Sequence, residues 1–347
     1  MSKGTQSNLP QNHPTIPNTK VGILLVNLGT PERCDRNSVR RFLAEFLSDR
    51  RVIELSPWLW KPILHGVILT TRPGKVVQAY EKIWMKDRNE SPLRYYTRKQ
   101  AEKLADSLND ECGDQLVVAW AMRYGSPTLD ETLGQMKQQG CQRILVVPLY
   151  PQYSATSTAT VSDKVFDSLK SWREQPALRT LPPYFDHPAY IQALASSIDD
   201  TLGAKQCKPE VIVVSYHGLP QESLEKGDPY YNQCVTTTRL LRDRLGVDQN
   251  YLRMTFQSRF GAKKWLQPAT DHMLMEMAQQ GVKHIAVITP GFAVDCLETL
   301  EEMGIRNREL FLQNGGERYE LIPCLNDSKN GIALLERLVK QELGGWI

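Results

Sequence analysis

At 347 residues the chain exceeds the roughly 100–200 residues of one ordinary domain, so two lobes or one large one are expected. Apolar residues make up 41% and charged residues 23%, which suits a globular core, and no run approaches the about 20 apolar residues of a membrane span. The net charge of +3 is too small to point to nucleic acid, and basic and aromatic residues do not interleave as in a single-strand binder.

Residues 1–20 are polar and rich in Pro, Asn and Ser; they lack the apolar stretch of a secretory leader and are expected to form a disordered extension on a cytoplasmic protein. From Val21 onward, short apolar runs alternate with Gly- or Pro-containing turns and helix-period segments. The runs are VGILLVN at Val21, QLVVAWAM at Gln115, RILVVPL at Arg143, VIVVSY at Val211, MTFQ at Met254 and HIAVIT at His284. Continuous rather than alternating apolarity suits strands covered on both faces, so the pattern predicts a doubly wound α/β fold with parallel sheets.

Two segments recur. Met136-Lys-Gln-Gln-Gly140, with Ile144 and Val146 after it, matches Met277-Ala-Gln-Gln-Gly281, with Ile285 and Val287 after it; ILLVNLGTP from Ile23 resembles IVVSYHGLP from Ile212. Either the chain holds two similar lobes, 21–185 and 186–347 with the terminal helix packing back on the first, or strand-to-helix junctions merely share this grammar. In such sheets ligands bind beyond the carboxyl ends of the strands. The residues to read for chemistry are therefore Asn27–Thr30, Arg123 and Tyr124, Tyr150–Tyr153, His217, Gln257–Arg259 and Asp295–Glu302.

SPWLWKPILHGVIL groups Trp58, Trp60, Ile63 and Leu64 beside Lys61. It reads as an interfacial lip or as a buried helix with Pro57 at its start, the buried helix being the preferred expectation. Seven cysteines without a C-x-x-C pair argue for free thiols rather than a disulfide framework or a zinc knuckle.

Among six histidines only His217 directly follows an apolar strand and precedes a Gly-Leu-Pro turn, a place for a rigidly held imidazole acting as base, metal ligand or simply structural residue. Asp295, Glu298 and Glu302 stand at i, i+3 and i+7, one acidic stripe if the segment is a helix. Carboxylates suit ferrous iron, whereas dipole compensation explains Asp295 well, Glu298 in part and Glu302 poorly. Tyr124, Tyr150, Tyr153, Phe256, Trp265 and Phe292 are available to line a flat apolar slot, with Ser91, Arg123 and Arg259 for acidic substituents.

From Val21 to about Asn326 the chain resembles the ferrochelatases, bacterial type of the protohaem branch. The resemblance is carried by GILLVNLGTPE at Gly22, RFLAEFLSDRRV at Arg41, SPL at Ser91, MRYGSP at Met122, PLYPQYSATST at Pro148, SYHGLP at Ser215, GDPYYNQC at Gly227, FQSRFGAKKWLQP at Phe256 and PGFAVDCLETLEE at Pro290. It implies two similar Rossmann-like lobes with the active-site cleft between them. It implies insertion of ferrous iron into protoporphyrin IX to give haem, with His217 and Glu298 at the metal site and Asp295 and Glu302 on an acidic ladder. It places Asn27, Leu28, Ser91, Arg123, Tyr124 and Tyr153 around the porphyrin. Cys296 stands where animal-type relatives carry a second histidine, and no cysteine follows Cys324 to hold their iron–sulfur cluster, so no cofactor is expected. A monomer with peripheral membrane contact is the expected state. Insertion of iron into coproporphyrin III or cobalt into sirohydrochlorin is the alternative chemistry, and a non-catalytic porphyrin carrier the alternative class.

Overall fold

The computed structural model describes residues 19–206, 208–261 and 263–347; the extension expected over 1–20 lies, up to residue 18, outside the described residues. Strands β1 (Lys20–Gly29), β2 (Leu116–Tyr124), β3 (Cys141–Pro148) and β4 (Ala177–Thr180) form one sheet in the order β2-β1-β3-β4. Strands β5 (Val211–His217), β6 (Leu252–Gln257), β7 (His284–Ile288) and β8 (Arg318–Leu321) form a second in the order β6-β5-β7-β8. Every neighbouring pair is parallel, as runs buried on both faces require. β4 and β8 are missing from the apolar runs in the sequence: each pairs on one side only, spans four residues and carries an arginine.

The two recurring sequence segments fall on equivalent places. Met136 and Met277 are buried on the helices that precede β3 and β7, 129–138 and 270–279. Gly29 ends β1 and Gly218 follows β5, and at each the backbone nearly touches its neighbour. A Cβ on Gly29, which has φ +116°, would lie 1.8 Å from the Tyr124 carbonyl oxygen, and one on Gly218 2.7 Å from that of Gln257, so only glycine fits at either corner. The backbone N–H of Met122 donates to the Pro127 carbonyl and that of Phe256 to the Pro268 carbonyl, both at 2.8 Å, repeating one bridge in both halves.

One apolar core crosses the two sheets. It joins Ile23 and Leu25 of β1 to Ile212 and Val214 of β5, through helix 188–204 and through Leu334, Leu335 and Leu338 of helix 329–342. That last helix is fastened to the first sheet, where Arg143 donates to the Trp346 carbonyl at 2.8 Å and Arg179 to the Glu342 carbonyl. Burial at about 25 cal/mol per Å² of apolar surface is what holds the sheets in this arrangement. Their strand ends are thereby fixed relative to one another.

Candidate functional site

β5 ends on His217, whose Cα partner is Gln257 at the end of β6. His217 Nδ1 lies 2.6 Å from the Gly218 carbonyl oxygen. A carbonyl only accepts, so Nδ1 carries a proton, and the lone pair of the uncharged ring falls on Nε2. Phe292 flanks the imidazole at 6.4 Å between ring centroids. Gln257 is oriented by Ser215, whose hydroxyl donates to its Oε1 at 2.8 Å, and its Nε2 in turn donates to the Glu298 carbonyl at 3.0 Å. The end of β6 thus ties the imidazole's strand to the acidic segment.

That segment departs from the expected stripe. Asp295 precedes the helix, and its buried carboxylate is occupied: it accepts from Asn326 Nδ2 at 2.6 Å, Thr299 Oγ1 at 3.0 Å and the Cys324 backbone N–H at 3.4 Å. Glu298–Asn307 is a π-helix, whose i→i+5 bonding alters the phase an α-helix would have given. Asp295 braces the loop, while Glu298 and Glu302 remain on the helix. Ser258, at φ +65°, aims both its N–H (2.8 Å) and its hydroxyl (2.5 Å) at the Glu302 carboxylate. A serine in this left-handed region costs about 1 kcal/mol, which the two charge-assisted bonds offset.

Burial pushes the Glu302 carboxyl above its ordinary value, opposed by the Ser258 hydrogen bond and the attraction of His217 and Arg306, and reinforced by the like charge of Glu298. His217, Glu298 and Glu302 therefore share one electrostatic environment. An open cavity of about 710 Å³, lined by Ser258, Glu302, Arg306 and Trp265 among others, brings solvent to this edge. Among the described residues no group of three or more His, Cys, Asp or Glu side chains is arranged to hold a metal ion. The chemistry on offer is an imidazole and two glutamate carboxyls acting on one another, with Glu302 predisposed to hold a proton.

The residues assigned to the opposite side are more heavily engaged than the sequence implied. Asn27 is buried, donating to Thr97 Oγ1 at 3.0 Å and accepting from the Leu28 N–H at 2.9 Å. Ser91 caps helix 92–112, accepting from the Arg94 N–H at 3.3 Å. Leu28 and Tyr153 are half-buried, and the Tyr153 N–H donates to Gln233 at 2.6 Å. Arg123 is not a free cation. Its guanidinium donates to Asp49 at 2.5 Å and to Thr160, and stacks 4.4 Å over the fully buried Tyr124 ring. The Tyr124 hydroxyl donates to the same Asp49 oxygen at 2.9 Å. Burial would raise the Asp49 carboxyl, but hydrogen bonds from Thr160, the Arg51 backbone and Tyr124, with the Arg123 charge, outweigh it and hold it below the ordinary value. Asp49 and Thr160 are residues that sequence reasoning missed; the only trace is an acid set before two arginines in SDRR. Arg259 is likewise paired, with Asp271 at 2.8 Å.

The Trp-rich segment starts on Pro57 as expected, but the buried helix is overturned: no residue of 57–63 is buried. Trp58 is 88% exposed, Leu59 69% and Ile63 45%. Leu64 alone of the four singled-out residues points fully inward, and Trp60 is held at the edge by donating to the Leu47 carbonyl at 2.6 Å. From the other half the exposed Phe260 meets Arg72, 5.7 Å from ring centroid to guanidinium. Both halves thus contribute to an apolar rim.

Known proteins match this arrangement. The ferrochelatase family profile covers residues 20–343. A ferrochelatase of Rhizobium etli is 54% identical over 338 residues, spanning 97% of this chain and 98% of that one. A ferrochelatase of Brucella ovis is 55% identical over 328 residues, spanning 94% and 93%. Among solved structures, SirB from Bacillus subtilis with Fe3+ superposes with a TM-score of 0.55 at 11% identity, covering 93% of this chain and 95% of that one, a likeness of fold. A chain with this fold, matched over almost its whole length by the profile and by relatives at more than half identity, belongs to the ferrochelatase family.

Proposed function

We propose that the protein is a lyase that inserts ferrous iron into protoporphyrin IX, giving protohaem and two protons. The observation that carries this reading is the His217 imidazole, oriented through Nδ1 by the Gly218 carbonyl, acting together with Glu298 on the Glu302 carboxyl. Two pyrrole N–H bonds must break as iron binds all four ring nitrogens. The His217 imidazole takes one proton through Nε2, and the Glu302 carboxylate, whose affinity for protons is raised, takes the other. Ferrous iron, a substrate, meets oxygen and nitrogen donors that hold it weakly enough to release it to the ring. No electron moves, so the reaction requires neither a redox cofactor nor an iron–sulfur cluster.

The Arg123–Asp49–Tyr124 network, neutral overall and rigid, would form the wall against which the other ring face rests. Anaerobic turnover of the purified protein tests the function, with ferrous iron offered to protoporphyrin IX or coproporphyrin III and cobalt to sirohydrochlorin. Haem formation from protoporphyrin IX at the highest kcat/KM is expected. Turnover confined to either other ring, or binding without turnover, would replace this reading by the alternative chelatase or by a carrier.

In the same proposal the protein works as a cytoplasmic monomer that touches a membrane through Trp58, Leu59 and Ile63. No helix among the described residues is long and apolar enough to cross one, and apolar side chains this exposed are instead suited to lie in a lipid surface. Trp58→Glu with Leu59→Glu is expected to reduce sedimentation with phospholipid vesicles at least about tenfold while leaving the unfolding temperature unchanged. Equal sedimentation of variant and wild type would remove the lip from the account.

A further inference from the structure

Glu301 is the acid of helix 298–307 that the chemistry above leaves unused. It is 3% exposed and lies between two cations: Lys82 Nζ at 3.0 Å from one oxygen and Arg306 Nε at 2.7 Å from the other. Arg306 belongs to the same helix, but Lys82 does not. Lys82 caps helix 69–81, which runs without a break through the π-turn 64–68 from the exposed segment 57–63. Leu297, one residue before the π-helix, packs against the cluster of Leu64, Leu69, Tyr80 and Trp84 from that same stretch. The Thr30 hydroxyl, just past β1, donates to the buried Tyr80 hydroxyl at 3.4 Å, fixing the stretch to the first sheet.

A carboxylate removed from water is strongly unfavourable unless its partners stay in place, so Glu301 enforces the position of Lys82 relative to its own helix. The helix it enforces is unusual. π-Helices mostly survive as single turns, whereas this one is assigned over ten residues, and a one-residue change of phase would rotate Glu298 and Glu302 away from His217.

We propose that Glu301 is a positioning residue: through Lys82 it locks the phase of helix 298–307 to the lip-bearing segment, so that Glu298 and Glu302 face His217 only while that segment is seated. The proposal rests on the assignment of those three residues to iron insertion. It makes lip movement and carboxylate placement one event.

The test uses the full chain and anaerobic iron insertion, comparing Lys82→Met, Lys82→Arg, Glu301→Gln and the double variant Lys82→Met with Glu301→Gln. Lys82 touches no reacting atom, but Lys82→Met leaves buried Glu301 with Arg306 as its one remaining cation, so the variant should unfold several degrees below wild type while staying folded at the assay temperature. It is expected to lower kcat/KM for ferrous iron about tenfold with KM for porphyrin unchanged, and Lys82→Arg should restore most of the loss. The double variant should lose little more than Lys82→Met alone, as coupled partners do. Wild-type kinetics in Lys82→Met would overturn the proposal, as would a loss shared equally by both substrates and not rescued by arginine. His217→Ala in the same assay separates the two levels: if it too inserts iron normally, the site assignment itself fails and takes this proposal with it.

Discussion

Replacing His217 by Ala is expected to lower kcat for iron insertion by about 10²–10⁴-fold, the range for loss of a general base. With Nδ1 committed to the Gly218 carbonyl, Nε2 is the ring nitrogen left to take a proton at the end of β5. The side chain is half-buried at a strand terminus, so its removal should leave the fold and the unfolding temperature nearly unchanged. Stopped-flow absorbance under anaerobic conditions measures the insertion step. A variant that inserts iron at near wild-type rate would remove His217 from the chemistry and leave the carboxylates alone to accept both protons.

Asp49→Asn is expected to destabilise the protein by about 3 kcal/mol at pH 7, the scale for removing one partner of a buried ion pair. The variant leaves the Arg123 guanidinium 13% exposed and without its counter-charge, with one neutral amide oxygen where Arg123, Tyr124 and Thr160 had shared a carboxylate. The pH dependence is specific. Because the folded Asp49 carboxyl sits below its ordinary value, its contribution is fully present above the unfolded value of about 3.9 and fades as pH falls through the lower folded one. Urea unfolding of both proteins from pH 7 downward should show the gap narrowing below about pH 4. A gap that stays constant with pH would mean that packing, not charge, accounts for the loss. Porphyrin affinity should fall together with stability, since the wall formed by Arg123 and Tyr124 loses its rigidity.

Much of the scaffold was legible because burial on both faces writes itself as uninterrupted apolar residues: β1, β2, β3, β5, β6 and β7 all appear as such runs. β4 and β8 did not, since an edge strand of four residues need not be apolar on both sides. The placement of His217 was legible, at the end of a central strand and before a glycine that the close backbone contact demands. The acidic stripe was half right for a physical reason. Counting i, i+3, i+7 presumes α-helical phase from Asp295 onward, whereas the helix begins later and winds more widely. The Arg123 pairing was out of reach because its partner Asp49 lies 74 residues away, and only the packed sheets bring the two together. The lip shows the complementary limit. Trp58 and Leu64 are equally apolar in sequence, and which one meets solvent depends on which face of the segment finds Val39 and Tyr80 to cover it.

A crystal structure with protoporphyrin IX bound tests the central claim most directly. The account predicts a ring with one face toward His217 Nε2 and Glu298, the other toward the strand ends carrying Leu28 and Arg123, and an edge under the rim of Trp58 and Ile63. A ring seated instead in the cavity lined by Arg259, Lys263 and Trp265, with His217 out of reach of every pyrrole nitrogen, would contradict it.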